Sequence, residues 1–303
     1  MIKAAHLIVK NILKLGKFNS SQIPKRVYSE LLTAFTNYKN KDIIVIPQFI
    51  HKYCRSGGNL IVDETVIEKY GLKHIVRKLK ILNNGGYCMG YKIVLFIWNK
   101  ESLRIPIGFA LYHKESDSVN ELTLKFISKL RNEFKIKPDM FLADGAYCVN
   151  KLMKRLTDYN WAFMIRFKSN RKLSGRPIKK LIARGYGNAK GYLKNGTKIK
   201  VFRRKERFYA SNRMLLDMQQ AVKYYIKRWK VEETFRVLKS CVGIKRCQQH
   251  RTISQEIFIW MCLIAFTYLE TFSNNSIYKT FNDVIFDKQK VDINHFKDIL
   301  NMC

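Results

Sequence analysis

Acidic residues are scarce in this sequence, in which 23 Asp and Glu face 57 Lys and Arg and give a formal net charge of +34. Self-repulsion on that scale destabilises a compact protein unless a polyanion offsets it. Nucleic acid is the natural counter-charge, and its binding should weaken steeply as the salt concentration rises. A membrane surface is the alternative partner.

Long hydrophobic runs are also missing. The longest, Ile257–Leu269, is too short to span a bilayer, so we interpret it as a buried helix and expect no membrane partner. The amino terminus lacks a compact apolar segment followed by a small-residue cleavage site, which argues against secretion. These absences favour a cytoplasmic location, and the basic charge favours association with the nucleoid.

Paired cysteines are absent too. The seven cysteines are odd in number, scattered and without a CxxC pair, which argues against a disulfide framework and indicates reduced thiols. No internal repeat or low-complexity tail is visible in the sequence. With 303 residues, of which 47% are hydrophobic, the chain can bury a full core and a second small module.

Residues 1–57 are predicted to form a short, basic helical region. Ser20 and Ser21 precede an apolar-periodic stretch as helix caps do, and Pro47 is well placed to start another helix. Two consecutive glycines then break the pattern. Two interpretations stay open: a helical cap on the main fold, or a small DNA-contact module.

Residues 58–167 show the alternation of strands and helices expected of a mixed α/β core. The predicted order is three strands, a helix, a strand, a helix and a strand. These elements fall at 59–67, 90–98, 104–113, 119–134, 139–145, 149–159 and 161–167. The first three strands indicate a meander, and Trp161 is expected in the core.

Residues 168–212 differ in composition from the rest of the chain. Between Lys168 and Arg207 there are fifteen Lys or Arg and one acid, Glu206, with aromatic residues interleaved. A solvated charged loop is the simpler interpretation, but loops of this length are uncommon without a role. Base–aromatic stacking and phosphate contacts suit this composition, so we predict a DNA-binding insertion that ends in a hairpin. Its expected phosphate contacts are Arg203, Arg204 and Lys205.

Residues 213–303 are predicted to be mainly helical and to complete the core. Within them, the helix predicted over 221–240 carries polar residues at offsets of 0, 3, 7 and 14, which share one helical face. These residues are Tyr225, Arg228, Glu232 and Lys239. The helix is either a surface helix laced with ion pairs or a scaffold that presents a carboxylate between cations for a metal-assisted phosphate site.

Two aspartates, Asp63 and Asp144, each end a run of apolar strand residues. An acid in that position is costly to bury unless it is paired, hydrogen-bonded or bound to a cation. Open sheets bind ligands at strand ends, so the two aspartates and Glu232 form a candidate set of hard oxygen ligands for two-metal phosphoryl transfer. For either aspartate alone, a turn or cap role is the simpler interpretation.

The sequence resembles the DDE transposases of prokaryotic insertion sequences, in the group related to insertion sequence four. The resemblance rests on the segments IVDETVI and FLADGAY and on the spacing of Tyr, Arg, Glu and Lys in YIKRWKVEETFRVLK. It runs from about Asn59 to the carboxyl terminus. It implies an RNase H-like mixed sheet core with helices, and a mainly β insertion between the second Asp and the Glu.

The resemblance also implies a function, which is metal-dependent cleavage and strand transfer of double-stranded DNA by a homodimer. Two Mg²⁺ or Mn²⁺ ions are expected as cofactors, and element ends and target DNA as partners. The implied catalytic and metal-binding residues are Asp63, Asp144 and Glu232. The implied phosphate contacts near the scissile bond are Tyr225, Arg228 and Lys239. Glu64 and Glu233 adjoin two of the ligands, and strand and helix geometry is expected to point them elsewhere.

Two further classes of protein fit the same residues. One is a catalytically inactive DNA-binding protein derived from a transposase, against which the intact set of acids argues. The other is an RNase H-like, structure-selective nuclease that cuts DNA without joining it. A strand-transfer assay separates a nuclease from a transposase.

Overall fold

The computed structural model describes residues 9–13, 26, 29, 33, 39–40, 43–69, 77–80, 86–113, 116–183, 185–247, 251–272, 277–285, 292, 294–295 and 299. Its strands are β1 (Lys39–Asn40), β2 (Ile43–Val45), β3 (Asn59–Glu68), β4 (Arg77–Lys80), β5 (Tyr87–Lys100), β6 (Leu103–Tyr112), β7 (Met140–Ala143), β8 (Phe163–Phe167), β9 (Lys172–Leu173), β10 (Arg176–Pro177), β11 (Tyr186–Tyr192), β12 (Lys198–Arg204) and β13 (Arg207–Ser211). Its helices are α1 (Pro47–Tyr53), α2 (Val119–Asn132), α3 (Asn150–Asp158), α4 (Ile178–Leu181), α5 (Met218–Ile226), α6 (Trp229–Ser240), α7 (Thr252–Phe272) and α8 (Ile277–Ile285).

One mixed sheet organises the described residues. Its eleven strands run in the order β1-β2-β6-β5-β3-β7-β8-β13-β12-β11, with β4 paired to β5. Strands β3, β7 and β8 are parallel neighbours, whereas β5 pairs antiparallel with β3, and β6 pairs antiparallel with β5. The predicted order of elements, β3, β5, β6, α2, β7, α3 and β8, and the predicted mixed α/β class are both confirmed.

Helices cover both faces of the central strands, which is why these strands are nearly continuous apolar runs. The ranges 93–99 in β5 and 105–111 in β6 are buried throughout. On one side, Phe126 of α2 stacks on Phe96 with ring centroids 3.6 Å apart. Trp161 is fully buried, as the sequence predicts.

Helix α7 is longer than the apolar run from which it was predicted. By length and composition its 21 residues could cross a membrane, but 89% of its most apolar window is buried inside the fold. The helix packs on β6 and on α6. The predicted buried helix is confirmed, whereas the argument that it is too short to span a bilayer is wrong for the full length of α7.

The amino-terminal region is not purely helical, so this part of the prediction is wrong. Helix α1 begins at Pro47 as expected, but β2 pairs antiparallel with β6 and therefore belongs to the sheet. An apolar segment of three residues is too short to distinguish a strand from a helix by periodicity. Most of residues 1–42 lie outside the described residues, so the choice between a helical cap and a DNA-contact module stays a prediction.

The predicted single helix over 221–240 is two helices, α5 and α6. At their junction the N–H of Arg228 donates to the carbonyl of Tyr225 (3.0 Å), and the N–H of Val231 donates to the carbonyl of Arg228 (3.1 Å). These bonds span three residues instead of four and make a tight 3₁₀ turn. The turn shifts the helical phase, so the predicted four-residue polar stripe is not continuous.

The described residues of the basic segment 168–212 are mainly β. The predicted hairpin is formed by β12 and β13, and β11 pairs with β12 on its other side. Because β13 pairs antiparallel with β8, these three strands extend the central sheet. The second half of the segment therefore continues the core sheet, whereas β9 and β10 pair with each other in a separate two-stranded sheet.

Candidate active site

The register of β3 and β7 brings the two predicted aspartates together. The last pair between these parallel strands is Val62 with Ala143. Asp63 and Asp144 are the next residues along the two strands, so both lie where β7 ends and β3 continues. Crevices at the carboxyl ends of strands are the places where open sheets bind ligands.

Asp63 is largely buried, with 18% of its side chain exposed. Its Oδ1 accepts a hydrogen bond from the backbone N–H of Glu64 (2.9 Å), and its Oδ2 accepts one from Nη1 of Arg228 (2.8 Å). Burial raises the pKa of Asp63 to about 7, and this effect outweighs the opposing effect of Arg228. The Asp63 carboxyl therefore titrates near neutral pH, and a further cation beside it would favour the charged form.

Arg228 joins Asp63 to Glu232. It lies in the tight turn before α6, from which its Nη1 reaches Asp63 and its Nη2 donates to Oε1 of Glu232. Burial acts to lower the pKa of Arg228, but Tyr225 and the carboxylates of Asp63 and Glu232 outweigh burial and raise it. The guanidinium thus lies between two of the three predicted metal ligands.

Tyr225 approaches the third predicted ligand from α5. Its hydroxyl donates to Oδ1 of Asp144 (3.2 Å), and its ring packs on Tyr209 of β13 with centroids 4.6 Å apart. Burial raises the pKa of Tyr225, so the phenol stays protonated and remains a donor at neutral pH. Helix α5 packs on β7 and β8, which places Tyr225 beside Asp144.

Lys239 lies apart from this group. Burial and the neighbouring Lys245 lower the pKa of Lys239, and the opposing effect of Glu68, at the end of β3, does not outweigh them. Two helical turns separate Lys239 from Glu232. Of the four polar residues predicted on this helix, Tyr225, Arg228 and Glu232 lie beside the aspartates or are linked to them, and Lys239 does not.

The residue after each of two proposed ligands is held away from the Arg228 ion pairs. Glu64 accepts hydrogen bonds from the hydroxyl of Tyr147 (2.6 Å) and from Nζ of Lys92 (3.1 Å). Because Tyr147 lies three residues after Asp144, this contact ties the two aspartate-bearing segments together. It fixes their separation through side chains outside the acid cluster.

Glu233 belongs to a separate ionic cluster that anchors α6. Arg104, at the start of β6, donates from Nη1 to Glu233 (3.2 Å) and from Nη2 to Glu270 of α7 (2.7 Å). Nε of Arg104 also donates to Glu270 (2.8 Å). Since Glu233 follows Glu232, this cluster fixes the rotation of α6 that directs Glu232 toward Asp63.

The three predicted phosphate contacts of the hairpin have different surroundings. Nη1 of Arg203 donates to the carbonyls of Ile182 (2.6 Å) and Ala183 (2.7 Å), and its Nε donates to the carbonyl of Lys205 (2.9 Å). These bonds commit Arg203 to holding the preceding loop. The side chains of Arg204 and Lys205 are exposed.

Sequence reasoning missed Arg166, which interrupts the apolar run of β8. Ile165 pairs with Ala143, so Arg166, the next residue of β8, lies in register with Asp144, the residue that follows β7. Its Nη1 lies 4.0 Å from Oδ1 of Asp144. The single charged residue in the segment WAFMIRF is the signal that could have revealed it.

The donor set suits a hard divalent cation, because carboxylate oxygens are the ligands that such ions prefer. Asp63 in particular is a buried acid whose charge a cation would stabilise. Among the described residues, no group of three Asp, Glu, His or Cys side chains is closed to metal-binding distance. In this arrangement Arg228 supplies the positive charge between Asp63 and Glu232.

Comparison with known structures bears on the fold. Over 98% of its length, the chain matches 72% of a piggyBac transposase solved in a synaptic complex with hairpin DNA, with a TM-score of 0.52 and 11% identity. Human endonuclease V also aligns, with 14% identity over 71% of this chain and 97% of that chain. Its TM-score of 0.31 is too low to support a shared fold. No curated protein matches the sequence. The fold is therefore an RNase H-like mixed sheet of the kind found in transposase nucleases.

The family follows from the sequence itself. The profile of the Transposase DDE domain matches residues 56–268, which include β3 through most of α7 and all three acids. The chain belongs to the Transposase DDE domain family.

Proposed function

We propose that this protein is a transposase that cleaves DNA and transfers the cut strand with Asp63, Asp144 and Glu232 as its catalytic, metal-binding residues. The observation that carries the proposal is the shared guanidinium of Arg228, which contacts both Asp63 and Glu232 beside Asp144. Arg228 thereby links two acids from distant parts of the chain next to Asp144, at the end of the central strand β7. Membership of the Transposase DDE domain family supports the same assignment.

The three carboxylates would supply oxygen ligands for Mg²⁺ or Mn²⁺, with two ions expected. Divalent ions at such a site activate a water or a 3′ hydroxyl as nucleophile and stabilise the leaving oxygen. Arg228 would exchange carboxylate partners for phosphate oxygens once bound cations offset the charges of Asp63 and Glu232. A planar guanidinium suits bidentate contact with a phosphate. Tyr225 would donate its hydroxyl beside Asp144.

Double-stranded DNA is the proposed partner, as element ends and as target. The net charge of +34 and the exposed cations of the basic strands support this. The piggyBac transposase of similar fold was solved with hairpin DNA in a synaptic complex. We infer that the protein acts as a homodimer on DNA. We also infer a place in the group related to insertion sequence four, which the spacing of Tyr225, Arg228, Glu232 and Lys239 supports.

The decisive experiment is cleavage of a supercoiled plasmid that carries the DNA flanking the gene, with Mg²⁺, Mn²⁺ or EDTA. The expected result is metal-dependent nicking at the element boundary, followed by joining of the cut end to a second DNA. Asp144→Asn should lose both reactions, because it removes a charged metal ligand while keeping the size of the side chain.

Two outcomes would contradict the proposal. Tight DNA binding without cutting under any metal would favour an inactive DNA-binding protein. Cutting without joining would favour a structure-selective nuclease on the same core.

A further inference from the structure

A pocket of about 310 Å³ opens beside Asp144 on the β8 side of β7, and Arg228 is not among its lining residues. It lies between the end of β8 and the turn of the β12–β13 hairpin. Its walls include Gly145, Arg166, Lys168, Ser169 and Phe208. The ion pairs of Asp63, Arg228 and Glu232 do not involve these residues.

Two cations line this pocket because of their spacing on the chain. Side chains two residues apart along an extended strand point to the same face. Arg166 is the fourth residue of β8, and Lys168 follows the last residue of the strand. Phe167 between them is buried and also borders the pocket, and both cations are among the lining residues.

Arg166 differs from Arg228 and Arg203 in the use of its donors. The other two guanidinium groups are spent on carboxylates or on backbone carbonyls. The Arg166 side chain is 48% exposed, and its ionic contact with Asp144, at 4.0 Å, is longer than a hydrogen bond. Within the described residues, no side-chain hydrogen bond fixes the Arg166 guanidinium. Its fork of N–H donors is therefore directed toward solvent in the pocket.

Two acids also border the pocket, Asp144 and Glu206. Glu206, in the hairpin turn, is 89% exposed and lies 3.6 Å from Nη2 of Arg203. Its charge is screened by solvent and offset by that guanidinium, so it does not cancel Arg166 and Lys168. With Glu206 offset in this way, Arg166 and Lys168 outnumber Asp144, so the pocket keeps a net positive charge beside the acid cluster.

We propose that this pocket binds a backbone phosphate of the DNA strand that lies against Asp144, with Arg166 as the bidentate contact and Lys168 as the second cation. The inference rests on the proposed function and deepens it. Arg166 would hold the strand on the side of Asp144 opposite Arg228. The scissile phosphate would then be flanked by a cation on each side of the three acids.

The test is DNA binding in EDTA, measured by fluorescence anisotropy with a labelled duplex over a range of salt concentrations. Arg166→Gln and Lys168→Gln should each weaken binding roughly tenfold and reduce the slope of log affinity against log salt by about one unit. Lys137→Gln is the matched control, since it removes an exposed cation at the opposite, amino-terminal end of β7. It should leave the slope unchanged.

Two further measurements separate a phosphate contact from general charge. Arg166→Lys should keep the wild-type salt slope but lose part of the affinity, because it retains the charge without the bidentate fork. Single methylphosphonate substitutions along the duplex should reveal one position at which neutralising the phosphate weakens wild-type binding. The same substitution should have no effect on Arg166→Gln.

The outcomes distinguish the pocket from the proposed function. If the wild-type protein binds and cuts DNA with Mg²⁺ while Arg166→Gln and Lys168→Gln behave like Lys137→Gln, the pocket assignment fails alone. If every methylphosphonate position that weakens wild-type binding also weakens Arg166→Gln binding, the phosphate lies elsewhere. If the wild-type protein neither binds nor cuts DNA, the proposed function fails together with the pocket.

Discussion

The centre and the basic edge of the sheet carry charge in opposite ways. At the centre, where β7 ends beside Asp63 of β3, the acids are partly buried and hydrogen-bonded, as Asp63 is to Arg228. At the edge formed by β11, β12 and β13, cations such as Lys190, Arg204 and Lys205 are exposed. The centre depends on where each charge lies, whereas the edge depends on how many charges there are.

This difference teaches how substitutions should act in each region. A charge that is buried and paired cannot be removed without leaving its partner unsatisfied. A charge that faces solvent can be removed at little cost to folding, and its loss is felt only when a polyanion binds. The expected effects therefore fall from the centre to the edge.

The largest effect, a loss of DNA cleavage, is expected for Glu232→Gln at the centre of the sheet. Because the amide keeps the shape of the side chain but removes a charged metal ligand, we expect metal-dependent cleavage to fall roughly a thousandfold or more. DNA affinity in EDTA should stay within about twofold, since the proposed contacts with DNA are made elsewhere. A plasmid-nicking assay beside anisotropy measures both quantities.

Glu133→Gln is the matched control for this change, because Glu133 is exposed and pairs only with Lys129 among the ion pairs described. It should cut as the wild-type protein does. Equal losses of binding and cutting in Glu232→Gln would refute a metal-ligand role for Glu232.

The next largest effect is expected for Arg104, which anchors α6 to the sheet. Arg104→Ala leaves the nearly buried carboxylate of Glu270 without its bidentate partner, so we expect a loss of about 3–5 kcal/mol in the free energy of unfolding. Denaturant titration measures this loss. The double change Arg104→Met with Glu270→Leu removes both charges together and should recover most of the stability; failure to recover it would show that packing, and not the charge, is the cause.

The pKa of Asp63, raised to about 7 by burial, makes stability at the centre depend on pH. An unfolded Asp titrates near 4, so between about pH 4 and pH 7 the folded state holds the proton more tightly. In EDTA, the wild-type free energy of unfolding should therefore fall as pH rises through this window, by up to about 4 kcal/mol.

Asp63→Asn is the control, because the amide does not titrate and the difference between the two proteins isolates this carboxyl. Mn²⁺ affinity should move the other way and rise with pH through about 7, as the proton leaves. A constant difference in stability between the two proteins from pH 4 to pH 8 would contradict the raised pKa.

The smallest effects are expected at the edge. Arg204→Gln with Lys205→Gln should leave the thermal unfolding temperature nearly unchanged and reduce the salt slope of DNA binding by up to about two units. Arg203→Gln should instead lower stability by about 1–3 kcal/mol, because the carbonyls it serves lose their donor. If Arg203→Gln and the double variant had the same stability and the same salt slope, Arg203 would not differ in role from the exposed Arg204 and Lys205.

Much of the architecture could be predicted from the sequence, because it is written in local pattern. Apolar runs that end in Asp63 and Asp144 indicate buried strands, although β3 continues past Asp63 to Glu68. Periodicity indicates α2, and a long apolar run indicates α7. The acid cluster could be anticipated in the same way, from residue types at strand ends and from the spacing around Glu232. These features depend on neighbours within a few residues.

The rest depends on contacts between distant segments. The pairing of β2 with β6 and of β8 with β13 has no local signature, so the sequence did not reveal that the basic segment continues the core sheet. The tight turn at Arg228 and the loop-holding role of Arg203 likewise follow from tertiary packing. Arg166 was missed because its significance comes from register with β7.

The direct pairing of β8 with β13 has a consequence for accuracy. Four consecutive residue pairs join the strand that carries Arg166 to the basic hairpin. A hydrogen-bonded sheet has no hinge at such a junction, so the sheet fixes the distance from the outer cations to the acids. For a protein that cuts DNA, the spacing of about 4.8 Å between neighbouring strands would then set where the cut falls relative to the outer cations.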